Sequence, residues 1–399
     1  MTIQKGVENV VLSSDSIVRR YLIESGISIK EGNTVKLLKS GTEKFNDLFL
    51  TVKQARHHIH MEYFNFRNDS IAGILFGILA GKVKEGVEVR LIFDAFGNSS
   101  NNRPLTGKHL KAIRESGIEI VKFDPINFPY INHVFHRDHR KIVIIDGHIG
   151  YTGGINIADY YIKGLPKIGE WRDIHVRIEG SAVHDLQKVF LDMWEKETKQ
   201  KIERDASYFP PFAPDENGKD VAIIDRSPRR SPKLMRRVFA KSIHAARHKL
   251  QIINPYFVPT KSIKNEIRKA LERGVDVEIM ISSKSDIPFT PEATFYISHK
   301  LMKRGAKVYM YDGGFHHSKV MMIDESFCTV GSTNLSSRGL RYDYETNAFI
   351  FDKETTQELI DVFEEDKEES TIMTPEGWKK RSKWKRFAGW FAHLFTPFI

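Results

Sequence analysis

Cysteine is almost absent from this sequence. The 399 residues include one, Cys328, which lies in the apolar run SFCTVG at 326–331. A single cysteine cannot form an internal disulfide, and this suits a reducing cytosol. The apolar neighbours of Cys328 predict a buried and chemically inert thiol.

Long apolar segments are also lacking. The two longest cover residues 71–81 and 387–399. Both are shorter than the roughly 20 residues that a helix needs to cross a bilayer. Residues 1–16 lack the basic start and sustained apolar run of a secretion signal. We therefore expect no membrane-spanning helix.

Acidic residues are outnumbered by basic ones, 51 against 61, which gives a formal net charge of +10. This charge favours a polyanionic partner, either nucleic acid or acidic lipid headgroups, without choosing between them. The length exceeds that of one typical core, and 41% hydrophobic residues can fill two. The composition therefore predicts a globular protein of two domains.

One pattern of five residues occurs twice in the chain. Each copy places a lysine two, an aspartate seven, a glycine 14 and an asparagine 17 residues after a histidine. His136 and His316 lie next to the pattern but do not share its spacing. Agreement at so many positions is not expected by chance or from a purely structural repeat. The two copies are His139, Lys141, Asp146, Gly153 and Asn156, and His317, Lys319, Asp324, Gly331 and Asn334.

The duplication extends beyond this pattern. Strand candidates at 58–66 and 250–258 each precede a helical segment and a second strand, and a strand and a helix follow each copy of the pattern. Each half therefore reads as α/β. The proline-containing stretch 208–220 has the composition of a linker. We divide the chain into an amino-terminal segment (1–33), a first repeat (34–207, motif 139–156), a linker (208–220), a second repeat (221–370, motif 317–334) and a basic, aromatic tail (371–399).

Strand geometry predicts which of the motif residues share a face. Residues two apart project together, so His139 should lie with Lys141, and the second pair should do the same. Asp146 and Asp324 stand at odd spacing, so we expect them to hold the strand end or loop and not to touch substrate. Asn156 and Asn334 lie near a helix start after glycine, where an amide could donate to a phosphate oxygen.

Two such sets facing each other suit phosphodiester chemistry. One imidazole attacks phosphorus, and the other protonates the leaving alkoxide and later deprotonates the incoming nucleophile. The lysines and asparagines would surround the non-bridging oxygens, so no metal is required. The chemical symmetry leaves the roles open, with a lean to His139 as nucleophile and His317 as acid. Asp173 and Glu345, in matching strands 34 and 28 residues after these histidines, are assigned to orient them.

The motif copies HRKIVIIDGHIGYTGGIN and HSKVMMIDESFCTVGSTN resemble the two signature motifs of the phospholipase D superfamily. Within it the chain resembles the bacterial cardiolipin synthases in the same order of segments, from about residue 34 to 350. These segments are EYFNFRND, GGINIADYY, EWRDIHVRIEG, INPYFVPT, SSKSD and VGSTNLSSRG.

The resemblance implies two tandem phospholipase D-like α/β sandwich halves with pseudo-twofold symmetry and a shared active site at their interface. It implies a phosphatidyltransferase that works through a phosphohistidine, without a cofactor. The implied reaction moves a phosphatidyl group from one phosphatidylglycerol to another and releases glycerol. Longer members carry two amino-terminal transmembrane helices that are missing here, so the chain looks like a short form. The implied catalytic signature is His139, Lys141, Asp146, His317, Lys319 and Asp324.

Other interpretations stay open beside this one. A hydrolytic phospholipase D would use the same residues with water as the acceptor. A nuclease of the same superfamily would draw on the basic charge, although the lipid interpretation predicts no nucleic-acid partner. A binding module conflicts with two complete catalytic sets. The histidines of 57–60, with His133 and His136, could suggest a metal cluster, but histidines near a phosphate site are more often hydrogen-bonded scaffold, and we predict no metal site.

The tail carries six cations followed by six apolar residues. Cations near an anionic leaflet gain about 1 kcal/mol each, and aromatic rings favour the headgroup boundary, so the tail suits a segment lying in the membrane interface. The same apolar stripe could instead pack on the protein's own surface. We predict a peripheral protein on the cytoplasmic face of the cell membrane, with phosphatidylglycerol and the anionic membrane surface as partners. The tail residues are Lys379, Lys380, Arg381, Lys383, Lys385, Arg386, Phe387, Trp390, Phe391, Leu394, Phe395 and Phe398.

Overall fold

A computed structural model describes residues 12–124, 135–287 and 290–395. His133 and Phe398, named above, lie outside these ranges. Within them the chain forms strands β1 Lys30–Leu38, β2 His58–Tyr63, β3 Glu88–Asp94, β4 Glu119–Phe123, β5 Lys141–Ile145, β6 Ile149–Gly153, β7 Glu170–Arg172, β8 His175–Glu179, β9 Lys219–Arg226, β10 Lys249–Ile253, β11 Asp276–Ser282, β12 Lys307–Tyr311, β13 Gly314–His316, β14 Val320–Ile323, β15 Phe327–Gly331, β16 Glu345–Phe351 and β17 Ser370–Ile372.

Helices connect these strands and flank the sheet. They are α1 Ser14–Glu24, α2 Gly41–Gln54, α3 Ser70–Lys84, α4 Ala95–Ser99, α5 Gly107–Glu115, α6 Tyr160–Lys163, α7 Val183–Thr198, α8 Leu234–Ala245, α9 Lys261–Glu272, α10 Thr290–Met302, α11 Ser337–Arg341, α12 Lys353–Glu368, α13 Pro375–Lys380 and α14 Lys383–Leu394. None of the helices in the described ranges is both long enough and apolar enough to cross a bilayer.

The strand order repeats outward from the centre of one large sheet. On one side it runs β1-β8-β6-β5-β2-β3-β4, and on the other β9-β16-β15-β14-β10-β11-β12, with β17 added at the second edge. The central strands β1 and β9 pair antiparallel. Each strand of the first half thus has a counterpart in the second. This order confirms two α/β halves related by pseudo-twofold symmetry.

The core is built in three layers of apolar side chains. One cluster lies in the first half, under α2 and α3, and another lies in the second half, under α8 and α9. The third cluster draws on β5 and β8, on β14 and β15, and on helices α7 and α12, so both halves contribute to it. All residues of β2, β5, β14, β15 and β16 are buried. This is expected for the apolar runs of β5 and β14, whereas β2 and β16 also bury polar side chains such as Glu62 and Asn347. Cys328 lies in this shared layer, and burial raises the pKa of its thiol to about 12.

Buried ion pairs join the halves next to the motif residues. Arg140 donates to Glu62 of the first half at 3.0 Å and to Asp225 of the second half at 2.8 Å. Arg140 and Glu62 are buried, so removing Arg140 would leave the carboxylates on both sides of the interface without this partner. The amino-terminal helix α1 also crosses the division, because Arg19 pairs with Asp220 at 2.6 Å.

Candidate active site

The two motif histidines lie where the halves meet. His139 precedes β5, and its backbone N–H donates to the carbonyl of Tyr344 at 3.0 Å. His317 lies between β13 and β14, and its backbone N–H donates to the carbonyl of Arg172 at 2.7 Å. Each histidine is therefore held by a segment of the opposite half.

Their side chains are also oriented across the interface. Nδ1 of His139 lies 3.1 Å from a carboxylate oxygen of Glu345, and Nδ1 of His317 lies 2.7 Å from one of Asp173. Each carboxylate therefore lies against the histidine of the opposite half, a partner that spacing within one half does not indicate. β13 forms a parallel pair with β7, and Asp138 forms a parallel β-bridge with Tyr344. Each motif therefore runs beside the segment of the other half that carries the orienting carboxylate.

The electrostatic environments of these pairs differ. Burial lowers the pKa of both histidines, to about 4 for His317, where Asp173 opposes the shift. Burial alone would raise the pKa of Asp173, but the nearby Lys319 and His317 hold it below its usual value. Burial raises the pKa of Glu345 well above the usual range. The structure thus places an ionised carboxylate behind His317 and a weaker charge behind His139.

The two lysines are buried beneath the histidines. Nζ of Lys141 donates to the carbonyl of His139 at 2.6 Å, and Nζ of Lys319 donates to that of His317. Desolvation lowers the pKa of Lys141 to about 7 and that of Lys319 to about 8. An approaching anion would favour the charged form of both side chains.

The two motif aspartates do not line the cleft that contains the histidines. The carboxylate of Asp146 accepts three backbone N–H groups, from residues 56, 57 and 58, at 2.8–2.9 Å. Asp324 accepts the equivalent three, from residues 247, 248 and 249, at the same distances. Each carboxylate joins its motif strand to the neighbouring strand, and in the described part of the chain neither forms a hydrogen bond with a motif histidine ring. Their place in the catalytic signature stays a prediction.

One cleft of about 810 Å³ contains both histidines and both asparagines of the motif. Asn156 and Asn334 are largely shielded, and the Oδ1 atom of each has no hydrogen-bond partner within the described part of the chain. Nδ2 of Asn156 donates to the hydroxyl of Tyr161 at 3.2 Å. The structure therefore brings together the His139, His317, Asn156 and Asn334 side chains that the sequence pattern selects.

The repeated pattern did not select several residues of this cleft, among them Tyr256, which the sequence predicts to be a packing residue at the rim of the site. Tyr161, Trp171 and Tyr256 line it, with ring centroids 5.5–6.3 Å from that of His317. Asp286 and Arg338 line it as well. These positions do not repeat between the halves, so a search for duplicated residues could not select them. The segments that resemble the family, among them SSKSD, contain them and were the available signal.

The histidines at 57–60 are tied into the scaffold. His58 Nε2 lies 3.3 Å from Gln187 and His60 Nε2 lies 3.1 Å from Glu88. His136 Nδ1 lies 3.0 Å from the carbonyl of Tyr342. Among the described residues, no group of three or more His, Cys, Asp or Glu side chains is arranged to hold a metal ion.

Comparison with known proteins assigns the family. A family model described as cardiolipin synthase, PLD-like domain, matches residues 48–194 and 239–367. A cardiolipin synthase of Listeria monocytogenes is 35% identical over 388 residues, covering 96% of this chain and 79% of the relative. The chain belongs to the cardiolipin synthase family. Cardiolipin synthase 1 of Staphylococcus epidermidis is 33% identical over 395 residues, covering 98% of this chain and 80% of that protein.

The relationship makes the chain a phosphatidyltransferase of the phospholipase D superfamily, as its motifs implied. Solved structures agree on the fold. The phosphatidylserine synthase of Haemophilus influenzae superimposes with a TM-score of 0.71 at 15% identity, covering 96% of this chain and 99% of that one. A polyphosphate kinase of Porphyromonas gingivalis does so with a TM-score of 0.56 at 13% identity, covering 84% and 50%.

Proposed function

We propose that this cardiolipin synthase family member transfers a phosphatidyl group from one phosphatidylglycerol to the terminal hydroxyl of another. The observation that carries the proposal is the pair of histidines in one cleft, each with Nδ1 engaged by a carboxylate of the opposite half. Because Nδ1 is engaged, Nε2 is the nitrogen available to a phosphodiester on each side.

The reaction runs in two steps. Nε2 of His139 attacks phosphorus, the bond from phosphorus to the glycerol oxygen breaks, and His317 gives its Nε2 proton to the departing glycerol. A second phosphatidylglycerol then enters, and its terminal hydroxyl loses a proton to His317 while its oxygen attacks phosphorus. The bond from phosphorus to His139 breaks, and cardiolipin leaves. The ionised Asp173 supports this division, because it stabilises the positive charge that His317 carries before the first step and regains in the second.

The remaining motif residues act on the phosphate oxygens. Lys141 and Lys319 regain full charge when an anionic phosphodiester enters, and they offset the charge that builds up on the equatorial oxygens. Asn156 and Asn334 line the same cleft and supply neutral donors to those oxygens. Asp146 and Asp324 hold the motif strands in register and act only through the fold.

The enzyme meets its substrate at an anionic membrane surface, on the cytoplasmic face, through the helix α14. Small residues dock this helix on α10: Gly389 approaches the carbonyl of Glu292 so closely that a Cβ would lie 2.7 Å from it, and Ala392 is buried. The apolar stripe faces outward. Six large side chains on it are 44–74% exposed: Trp384, Phe387, Trp390, Phe391, Leu394 and Phe395.

Charge and position support a lipid surface as the partner of this stripe. No acidic residue occurs between Glu376 and the end of the chain, and the basic side chains of the tail flank the aromatic ones. The docking helix α10 begins three residues after Ile287, which lines the cleft and is 39% exposed. A lipid whose acyl chains stay in the bilayer can therefore present its headgroup to the histidines.

Substitution of the stripe tests the membrane contact. The triple variant Trp384→Ser, Phe387→Ser, Phe391→Ser should keep its melting temperature, sediment less with phosphatidylglycerol vesicles, and lose turnover on vesicles more than on detergent-dispersed lipid. Leu50→Ser, also at an exposed site, serves as the matched control. Unchanged sedimentation would contradict the proposal. So would a wild-type dimer that the triple variant converts to a monomer, because the stripe would then be an interface between two copies of the protein.

Product analysis tests the reaction itself. Purified protein should convert phosphatidylglycerol vesicles to cardiolipin and free glycerol. Phosphatidic acid as the main lipid product would instead identify a hydrolytic phospholipase D. Absence of lipid turnover together with cleavage of DNA would identify a nuclease of the superfamily.

A further inference from the structure

The two ends of the cleft carry equivalent positions with different chemistry. In the first half, Asn101 donates to Asn65 at 2.8 Å, and these residues follow β3 and β2. In the second half, Tyr256 donates its hydroxyl proton to Asp286, and these residues follow β10 and β11. Since β2 and β3 occupy the places of β10 and β11 in the repeated strand order, an amide pair at one end corresponds to a phenol–carboxylate pair at the other.

A second pair of positions also differs in chemistry between the two halves. Tyr160 and Arg338 each stand four residues after a motif asparagine, and both line the cleft. Arg338 is among the cations that lower the pKa of His139. Tyr160 packs on Trp171 at 4.4 Å between centroids, beside His317.

Aromatic rings are also unevenly distributed. Four rings lie within 6.3 Å of the His317 ring, measured between centroids: those of Tyr161, Trp171, Tyr256 and Phe315. In the described part of the chain, the His139 ring has one such neighbour, Phe64, at 5.2 Å. The His139 end thus offers amides and Arg338, which pairs with Asp343 at 3.1 Å. The His317 end offers the carboxylate of Asp286 within aromatic walls, with Arg67 5.4 Å from the centroid of the Tyr160 ring.

These two environments suit different parts of a phospholipid. A phosphate anion is attracted by Arg338 and repelled by Asp286. A glycerol group is neutral, its hydroxyls donate well to a carboxylate, and its C–H faces pack on rings. Asp286 is exposed to the cleft, and its Oδ2 makes no hydrogen bond within the described residues. A carboxylate oxygen is therefore available there to a diol.

We propose that Asp286 and Tyr256 form a glycerol-binding subsite at the His317 end of the cleft, which makes a polyol the preferred acceptor over water. The inference rests on the proposed phosphatidyl transfer. The subsite holds the leaving glycerol in the first step and the glycerol of the second phosphatidylglycerol in the next. Water occupies the same place without these contacts, so its attack gains nothing from them.

Competition between alcohol acceptors and water for the phosphatidyl group tests this subsite. Phosphatidylglycerol in mixed detergent micelles is supplied with isotopically labelled glycerol or labelled 1-propanol as competing acceptor, because transfer to glycerol regenerates phosphatidylglycerol and only the label reveals it. The ratio of labelled transfer product to phosphatidic acid is then measured. The wild-type enzyme should prefer glycerol to 1-propanol. Asp286→Asn should abolish this preference and lower the ratio of transfer to hydrolysis by about tenfold to a hundredfold, as expected for loss of a hydrogen bond to a charged group. Tyr256→Phe should lower it severalfold.

The equivalent position at the other end supplies the matched control. Asn101→Ala should leave the ratio of transfer to hydrolysis unchanged. An unchanged ratio in Asp286→Asn overturns the subsite, and so does a shift confined to Asn101→Ala. Breakdown of cardiolipin by added glycerol gives a second measurement, in which Asp286→Asn should raise KM for glycerol more than it lowers kcat. A wild-type protein that forms no lipid product would instead refute the proposed function.

Discussion

Removing the charge of Asp173, which lies next to His317, should show which of the two motif histidines is the nucleophile and which is the acid and base. Asp173 lies 2.7 Å from Nδ1 of His317, and both side chains are buried. The substitution Asp173→Asn keeps the size of the side chain and removes its charge. Glu345→Gln is the matched substitution behind His139. If His317 is the acid and base while His139 is the nucleophile, the two variants must fail at different steps.

The magnitude follows from the geometry. Unit charges about 4 Å apart in surroundings of effective dielectric constant near 20 attract by about 4 kcal/mol. Each 1.36 kcal/mol changes a rate by about tenfold, so loss of this attraction slows a step that needs protonated His317 by up to about 10³-fold. General acid–base catalysis contributes about 10²- to 10⁴-fold in enzymes, which agrees with this size.

A substrate with an activated leaving group turns this difference into a readout. The p-nitrophenyl ester of phosphatidic acid needs no proton from His317 in the first step. With this substrate, Asp173→Asn should form the phosphatidyl-enzyme at nearly the wild-type rate and break it down slowly, so that labelled lipid accumulates on His139. Glu345→Gln should slow its formation. Accumulation of the adduct in Glu345→Gln and not in Asp173→Asn would reverse the assignment, and full activity in both variants would refute the orienting role.

Further predictions concern the remaining motif residues. His139→Ala and His317→Ala should each abolish turnover, and full activity in either would contradict the two-histidine mechanism. Because Lys141 and Lys319 have pKa values near 7 and 8 in the free enzyme, they are charged at lower pH, and an anionic substrate binds the charged form. The ratio kcat/KM should therefore fall more steeply as pH rises through 7 to 8, because loss of charge on the lysines adds to the loss of protonated His317, whose pKa is about 4. An unchanged slope across this range would contradict the role of the lysines. Asp146→Asn should lower the melting temperature and leave KM unchanged, since its carboxylate bonds only to backbone. Activity should persist in a chelator, and loss that a divalent ion reverses would revive a metal site.

Spacing along the chain could predict which residues meet but not how they pair. The repeated spacing selected His139 and His317 because each half builds the same strands, and a pseudo-twofold arrangement then brings the two copies to one interface. Strand parity also separated Asp146 and Asp324 from the histidines. The crossed bonds to Glu345 and Asp173 depend on contacts between halves, about which distances counted within one half carry no information.

The repeated pattern could not select cleft residues that differ between the halves. A search for duplication rewards identity, whereas Asp286 corresponds to Asn101 and Tyr160 corresponds to Arg338. The tail shows a similar limit, since one helical pattern allowed both a lipid-facing and a packed interpretation. The helix has room for both, because Gly389 and Ala392 occupy the packed face while the aromatic stripe occupies the other. The domain boundaries stay a prediction, and β9 already begins at Lys219, inside the proposed linker.

In the proposed mechanism, the differences between the halves give the reaction its direction. In an ideal twofold site, either histidine could attack phosphorus with equal ease, and the leaving alcohol would depart toward either end. In the asymmetric cleft, by contrast, a phosphatidyl-enzyme formed on His317 would expose its phosphorus to the His139 end, which lacks the proposed glycerol subsite, and water would attack there. An ionised Asp173 behind His317, Asp286 in front of it and Arg338 beside His139 all break the symmetry in the same sense. Duplication supplied two matched catalytic sets, and divergence around them allows a phosphatidyl group to pass from alcohol to alcohol.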